Sequence, residues 1–230
     1  MQSTRFASAQ AKNLTLSCMW LAGAWALAAA TSQYRLQVVR VYPHDRTAFT
    51  QGLEYHDGLL YEGTGLEGRS RLRVERLENG RVIREIAVDP RLFGEGISVL
   101  GRRVYQLTWL GGKGFVYDAT SFRRLREFSY PGQGWGLTND GHSLYMSDGT
   151  AEIRVWDGGS LRELRRIRVH DGEREIAMLN ELEWVRENFG LTYGRRTRLR
   201  GFRQRMAVCW AGSMRAACLK QVRSKIPTRF

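Results

Sequence analysis

The central part of this 230-residue chain lacks cysteine altogether. Its three cysteines, Cys18, Cys209 and Cys218, lie near the two ends, and residues 31–185 contain none. A disulfide framework and a metal site built from thiolates both need cysteines within the folded region. The body of the protein must therefore be held together by an apolar core, for which an apolar content of 43% is sufficient.

Familiar catalytic motifs are also missing. No Ser, His and Asp stand at a spacing that identifies a triad, no glycine-rich loop has the phosphate-binding pattern, and no histidines are paired as metal ligands. The histidines are scattered in turn-like contexts, where we expect surface loops; they are His44, His56, His142 and His170. These absences predict a protein without a cofactor and without a catalytic metal, and they leave open whether a structural ion is bound.

Acidic residues are scarce only towards the carboxyl end. A formal net charge of +13 would ordinarily indicate a nucleic acid or an anionic membrane as partner. However, residues 1–185 contain 24 Lys and Arg against 22 Asp and Glu, whereas residues 186–230 contain 12 against one. A nucleic-acid-binding function would rest on this tail alone, and its arginines are interleaved with no repeated aromatic pattern. We therefore expect no nucleic-acid partner.

Residues 1–30 have the composition of a secretory signal peptide. Arg5 and Lys12 precede an apolar run over residues 14–30, and small residues at positions 26–30 offer a cleavage site. The alternative is an uncleaved membrane anchor, although the run is shorter and richer in alanine than most membrane-spanning helices. The sequence predicts export to a periplasm or to the medium, with no membrane attachment after cleavage.

Three stretches of the chain repeat at intervals of 40 to 44 residues. Each begins with a glycine turn and an apolar strand that carries a tyrosine, at Tyr61, Tyr105 and Tyr145. Each continues with a strand, a short polar turn and another strand. Short β segments at this period are typical of propeller blades, and the units lack the 3.6-residue periodicity of helical repeats. The pattern predicts an all-β propeller in residues 31–185.

Polar residues stand in apolar, glycine-flanked segments at the junctions of these units. In a propeller the segment that enters each innermost strand lines the central channel at one end, so Gln51, Glu95, Trp135 and Asn180 are predicted to converge. Each of them alone could equally be a satisfied turn residue. Glu95 is the sharpest case, because a partly desolvated carboxyl between glycines has a raised pKa suited to proton transfer near neutrality.

These residues belong to six short sequence motifs, which follow one another within residues 36–185. They are residues 48–53 (Ala-Phe-Thr-Gln-Gly-Leu), 93–97 (Phe-Gly-Glu-Gly-Ile), 106–109 (Gln-Leu-Thr-Trp), 134–137 (Gly-Trp-Gly-Leu), 147–149 (Ser-Asp-Gly) and 179–184 (Leu-Asn-Glu-Leu-Glu-Trp). In these motifs and their order the chain resembles the plant and bacterial type of glutaminyl-peptide cyclotransferase, also called glutamine cyclotransferase. The resemblance implies a five-bladed β-propeller. It also implies a monomeric acyltransferase that converts the amino-terminal glutamine of peptides or proteins to pyroglutamate, releases ammonia and uses no catalytic metal.

The resemblance also implies a set of site residues. Glu95 would be the catalytic residue, which takes a proton from the substrate's α-amine and returns it to the leaving amide nitrogen. Gln51 and Asn180 would hydrogen-bond the carboxamide, and which of the two stabilises the oxyanion stays open. The aromatic residues would exclude water and fold the glutamine so that amine and carbonyl meet. The full substrate-binding set is Phe49, Gln51, Phe93, Trp109, Trp135 and Asn180.

The repeat and the balanced charge both stop just after Trp184. We interpret residues 186–230 as a disordered tail whose origin is a change of reading frame near Arg186. In a shifted frame, the codons of residues 187–198 can encode the tryptophan-containing Asn-Val-Trp motif of the family. A nucleotide sequence that stays in frame through codons 180–200 would contradict this hypothesis. As written, the chain holds about three blades and part of a fourth, without closure between first and last blades. We therefore expect the 230-residue product to be unstable or inactive.

A second class of function stays open beside catalysis. The same propeller could be a scaffold that recognises a peptide or a carbohydrate without chemistry. Glu95 distinguishes the two, because its replacement should abolish turnover in an enzyme and spare ligand binding in a scaffold.

Overall fold

The computed structural model describes residues 40–171, 173–185, 188–193 and 200–203, the last two ranges as backbone only. The predicted signal peptide, residues 1–30, lies outside the described residues, as does most of the predicted tail. The described residues contain strands and turns and no helix, so none among them offers a helix able to cross a membrane.

The described strands form three four-stranded antiparallel sheets, then a two-stranded hairpin and a three-stranded sheet. The first sheet contains β1 (Thr50–His56), β2 (Leu59–Thr64), β3 (Arg71–Arg76) and β4 (Arg81–Ala87). The second contains β5 (Gly94–Leu100), β6 (Arg103–Thr108), β7 (Lys113–Asp118) and β8 (Arg124–Ser129). The third contains β9 (Leu137–Asn139), β10 (Ser143–Ser147), β11 (Glu152–Asp157) and β12 (Glu163–Arg168). The hairpin is β13 (His170–Asp171) with β14 (Arg174–Glu175), and the fourth sheet contains β15 (Leu179–Val185), β16 (Asn188–Tyr193) and β17 (Arg200–Arg203).

Successive sheets meet through their first strands. Within each sheet the strands follow one another in chain order. Strand β1 contacts β5, β5 contacts β9, and β9 contacts β15, whereas the last strands β4, β8 and β12 are mostly exposed. Chain-ordered antiparallel sheets with inner first strands and outer fourth strands are the blades of a propeller. The all-β propeller predicted from the repeat is confirmed.

The repeated tyrosines lie in the apolar layers between neighbouring sheets. Tyr61, Tyr105 and Tyr145 are at most 6% exposed. One sheet cannot bury both of its faces, so each layer needs the next blade. The three layers pair Tyr61 with Ile97 and Phe115, Tyr105 with Leu137 and Leu144, and Tyr145 with Leu179 and Leu182. The glycine turns predicted before each tyrosine strand are confirmed by positive φ angles of 81°, 59° and 93° at Gly58, Gly101 and Gly141.

The fourth sheet extends into the segment predicted to be a disordered tail. Trp184 on β15 stacks on Tyr145 with ring centroids 5.3 Å apart, so this sheet joins the third as the others join each other. Beyond it, β16 pairs with β15 and β17 pairs with β16. The structure therefore differs from the prediction of disorder over these two strands. The physical reason is that β15 would otherwise present an unpaired strand edge, which the following chain covers.

The histidines do not all lie in surface loops as expected. The side chain of His44 is only 13% exposed, and its Nε2 lies 2.9 Å from Oε1 of the fully buried Glu62. His142 and His170 are exposed. The prediction was wrong for His44 because its partner is distant in sequence, on strand β2, and gives no local signal.

Candidate active site

Irregular strand pairing recurs where the predicted polar site residues lie. A β-bulge inserts an unpaired residue into a ladder and re-aims its side chain, and bulges are frequent next to active sites. Here the pairing registers shift between Thr50 and Gly52, between Gly94 and Ile97, and between Leu179 and Leu182. These three shifts enclose Gln51, Glu95 and Asn180. The three residues thus occupy the same structural position in three different blades.

Glycines bring the innermost strands of neighbouring blades into backbone contact. The Gly96 amide donates a hydrogen bond to the Trp135 carbonyl oxygen at 2.8 Å. A Cβ atom at any of three glycines would collide with backbone of the next blade, because it would lie 2.5 Å from Ile97 N at Gly52, 2.4 Å from Trp135 O at Gly96, and 2.3 Å from Asn180 O at Gly136. These glycines directly follow Gln51, Glu95 and Trp135. Because they have no Cβ atom, consecutive blades and their site residues can come together.

Glu95 is a buried carboxyl held by one amide. It is 6% exposed, and its Oε1 accepts a hydrogen bond from Gln51 Nε2 at 2.9 Å. Burial raises the pKa of Glu95 from 4.5 to about 8, and the Gln51 hydrogen bond opposes that rise because it favours the charged form. A carboxyl with this pKa exchanges protons near neutrality, as its position between two glycines predicts.

Three aromatic rings form one connected group beside this carboxyl. Phe93, two residues before Glu95, has its ring 6.0 Å from that of Phe49 and 5.6 Å from that of Trp109, both in edge-to-face geometry. The Trp109 amide also donates to the Phe93 carbonyl oxygen at 3.0 Å. Trp109 is 38% exposed, so the group has an apolar surface open to a ligand.

Gln133 joins the two tryptophans of the predicted site, although it was not among the predicted residues. Its Oε1 accepts hydrogen bonds from Trp109 Nε1 at 2.7 Å and from Trp135 Nε1 at 2.8 Å. One amide oxygen therefore orients two indoles from different blades. The available signal was the Gly-Gln-Gly pattern at residues 132–134, which matches the Gly-Glu-Gly pattern around Glu95.

We expect Gln133→Ala to raise KM about tenfold, with a smaller change in kcat, for a peptide that begins with glutamine, the substrate implied by the sequence resemblance. The two lost hydrogen bonds are together worth about 1–3 kcal/mol, and the indoles lose their fixed orientation. Steady-state kinetics will measure this. Gln133→Glu keeps an acceptor oxygen for both indoles and is the matched control. An unchanged KM in the alanine variant would show that Gln133 does not orient the site.

In the fourth sheet, Asn180 and Glu181 lie at the positions that Gln51-Gly52 and Glu95-Gly96 occupy in the first two. The Asn180 carbonyl oxygen accepts a hydrogen bond from Ser147 Oγ at 2.6 Å, and its side chain is exposed. Glu181 stands where the preceding blades have Gly52, Gly96 and Gly136. Burial, and after it the negative charges of Glu95 and Glu183, raise the pKa of Glu181 well above its usual range. Glu181 was not among the predicted residues, although a carboxylate in the glycine position was the signal.

The structure places six of the seven predicted residues in two neighbouring sets, which flank Gly65 through the Phe93 ring and Gln51 Cγ. Gln51 bonds to Glu95, Phe93 joins Phe49 to Trp109, and Gln133 joins Trp109 to Trp135. Asn180 lies next to these sets through its backbone, against Gly136. The arrangement offers a group that exchanges protons, amides that hydrogen-bond, and an apolar wall.

Comparison with known proteins agrees with the geometry. The glutamine cyclotransferase family model matches residues 11–191. A glutaminyl-peptide cyclotransferase of Arabidopsis thaliana is 39% identical over 152 residues, which cover 65% of this chain and 48% of the relative. The crystal structure of Myxococcus xanthus glutaminyl cyclase superposes with a TM-score of 0.67 at 28% identity, over 75% of each chain. The chain spans about half the length of the curated relative it matches. Because the family model covers well over half of it, the chain belongs to the glutamine cyclotransferase family.

Proposed function

We propose that this site cyclises the amino-terminal glutamine of peptides or proteins to pyroglutamate and releases ammonia. The observation that carries the proposal is Glu95, a buried carboxyl with a pKa of about 8 that is held by Gln51 beside an aromatic wall. Membership of the glutamine cyclotransferase family supports it.

The chemistry needs one proton to move between two nitrogens. The substrate's α-amine attacks the carbon of its own side-chain carboxamide, so a C–N bond forms and the α-nitrogen loses a proton. Glu95 takes that proton as a carboxylate and returns it to the amide nitrogen, which leaves as ammonia. The free α-ammonium has a pKa of about 7.7–8.0, close to that of Glu95, so near pH 8 both the neutral amine that attacks and the carboxylate that accepts its proton are populated.

The remaining residues bind and orient the glutamine. Because Gln51 Nε2 already donates to Glu95, we assign Gln51 to positioning the carboxyl. The exposed amide of Asn180 is then the donor for the carboxamide oxygen, where negative charge develops. Phe93 and Trp109 exclude water and hold the substrate folded, which supplies the proximity that an intramolecular attack requires.

Mass spectrometry of a peptide that begins with glutamine tests the proposal. We expect loss of one ammonia from this peptide, and no change in the same peptide with an acetylated α-amine. The assay uses the 230-residue chain and also a chain read in the shifted frame from codon 186, because the 230-residue product is expected to be unstable or inactive. If neither chain converts the peptide, the proposed function is wrong. If the 230-residue chain alone converts it, the truncation hypothesis is wrong and the function stands.

Turnover should rise with pH through about 8, and Gln51→Ala should move this rising limb of the pH–activity profile to higher pH. Deprotonated Glu95 is the form that accepts the proton, and its fraction grows as pH passes its pKa of about 8. Removing the Gln51 donor raises that pKa further, because the hydrogen bond favours the carboxylate. The pH profile of kcat/KM on one peptide measures the shift, after correction for the separately measured titration of that peptide's own α-amine, at about 7.7–8.0.

The control for this experiment is Gln133→Ala, which affects the site without touching Glu95. Its limb should coincide with that of the wild type, since Gln133 bonds to the tryptophans and not to the carboxyl. A Gln51→Ala limb that does not move, or that moves to lower pH, would contradict the assignment of Gln51.

We further propose that the protein acts after export, to a periplasm or to the medium, as a monomer and without membrane attachment once the signal peptide is removed. The apolar run over residues 14–30 supports export. Fractionation of expressing cells, followed by amino-terminal sequencing of the mature chain, tests this.

A further inference from the structure

A second group of ionisable side chains lies apart from those of the candidate active site. It joins His44, in the segment before β1, to Glu62 on β2 and Glu75 on β3. One nitrogen and two carboxylate oxygens, one from each residue, all lie within 4.8 Å of one another. Adjacent strands of the first sheet supply the two carboxylates, and the preceding chain supplies the imidazole.

The two carboxylates are buried and only partly satisfied. Glu62 is 0% exposed and Glu75 is 1% exposed. Within the described part of the chain, neither oxygen of Glu75 accepts a hydrogen bond, and neither does Oε2 of Glu62. Burial and the neighbouring Glu62 charge raise the pKa of Glu75 to about 7. Buried charges of one sign are costly unless a cation or a donor compensates them.

The nearest arginine is engaged elsewhere. Arg73 hydrogen-bonds Asp45 at 3.0 Å and also hydrogen-bonds Glu85, whereas its Nη1 stays 3.6 Å from Glu62 Oε2. Its single positive charge is thus shared among three carboxylates, those of Asp45, Glu85 and Glu62. Glu62 is paired with His44 at 2.9 Å and lies 3.6 Å from Arg73, so the carboxyl of this group with no hydrogen bond to either oxygen, among the described residues, is that of Glu75.

The donor set identifies the class of cation that fits. One imidazole nitrogen and two carboxylate oxygens are ligands for zinc and similar first-row divalent ions, whereas calcium and magnesium prefer oxygen alone. Ligand atoms about 2.1 Å from one ion lie at most about 4.2 Å apart, so small side-chain rotations bring these three atoms into range. We propose that His44, Glu62 and Glu75 bind a divalent transition-metal ion, which fastens the segment before β1 to the first blade.

Such an ion would have a structural role. Five residues separate His44 from Thr50, whose Oγ1 donates to Glu62 Oε1, and Gln51 follows directly. Fixing His44 against β2 and β3 therefore fixes the chain from which Phe49 and Gln51 project. The site supplies no group to the reaction itself.

Zinc titration of a tag-free chain, after treatment with a chelator, tests this proposal. The chain is the 230-residue form or, if that form does not fold, the shifted-frame form, which keeps the same three residues. We expect one equivalent of zinc to bind with saturation and to raise the melting temperature. Glu75→Gln should weaken this binding by more than the about 10–100-fold that the loss of a mere outer partner causes. Glu85→Gln is the matched control, because Glu85 is a carboxylate on the same sheet that pairs with Arg73 and is no ligand; its affinity should match the wild type.

Two outcomes would overturn the proposal. One is the absence of a saturable zinc site in the wild type, with Glu75→Gln at least as stable; this would mean that Glu62 and Glu75 share a proton, since the side-chain amide introduced by Glu75→Gln can donate to Glu62. The other is equal zinc binding by wild type and Glu75→Gln, which would place the ion at other ligands. Metal content and melting temperature are both independent of turnover, so the result does not depend on the proposed function.

Discussion

Replacing Glu95 with glutamine is expected to lower kcat for pyroglutamate formation by about 10²–10⁴-fold, the contribution that a positioned acid–base group makes. The variant keeps the size of the side chain and can still meet Gln51, but it cannot accept the proton of the attacking amine. Peptide binding should change little. Ammonia release and peptide affinity, measured on the same preparation of the chain that turns over, will show whether the two separate.

The stability of the same variant is its control. The carboxyl of Glu95 is neutral in both folded and unfolded states below its ordinary pKa of 4.5. Between pH 4.5 and about 8 the folded protein keeps a proton that the unfolded chain loses, so the free energy of unfolding falls as pH rises. Glu95→Gln has no carboxyl there and avoids this fall in the free energy of unfolding. It should therefore gain stability relative to the wild type above about pH 8. Lost activity with retained stability excludes misfolding as the cause.

The same pair of measurements decides between an enzyme and a binding scaffold. A scaffold would bind the peptide, show no turnover in the wild type and lose nothing on replacement of Glu95. Turnover in the wild type that disappears in Glu95→Gln, with affinity retained, supports the enzyme. Turnover that survives the replacement would contradict the role of Glu95.

Gly96→Ala should cost the fold at least about 1–3 kcal/mol, because its Cβ would lie 2.4 Å from Trp135 O and 2.7 Å from Leu137 N. Both atoms belong to backbone, so no flexible side chain can give way. The strands β5 and β9 would have to separate, and with them Glu95 and Trp135. For a domain of this size the melting temperature should fall by about 2–4 °C per kcal/mol.

The matched control for this substitution is Gly159→Ala. A Cβ atom there would meet only Asp157 Oδ1 at 3.6 Å, which is an ordinary contact on an exposed turn. Its free energy of unfolding should stay within about 0.5 kcal/mol of the wild type. Equal melting temperatures for the two variants would show that the blades do not meet as closely as described.

The sequence could predict the blades because their signal is local. The tyrosines at 61, 105 and 145 recur with the glycine turns before them, and this period specifies the strands without knowledge of their partners. The convergence of Gln51 and Glu95 could be predicted for the same reason, since equivalent positions in successive blades lie side by side around an axis. The register shifts that place them there leave no mark in the sequence beyond the flanking glycines.

The other contacts depend on residues far apart in sequence. Gln133 was missed because the Gly-Gln-Gly pattern around it marks a junction but does not show that its side chain joins Trp109 to Trp135. His44 was expected on the surface because nothing near it indicates that Glu62 would bury it. The strands β16 and β17 were expected to be disordered because their composition departs from that of the blades, whereas the open edge of β15 gives them a partner.

The proposed reaction depends on Glu95 being a buried carboxyl that exchanges its proton near neutrality. Its titration can be followed directly by infrared difference spectroscopy of the carboxyl band. Wild type and Glu95→Gln are compared in a Glu181→Gln background, because the charge of Glu95 also raises the pKa of Glu181. The structure predicts a band that titrates near pH 8. A band that titrates near 4.5, the ordinary value, would mean that Glu95 is open to water and is not the proton carrier described here.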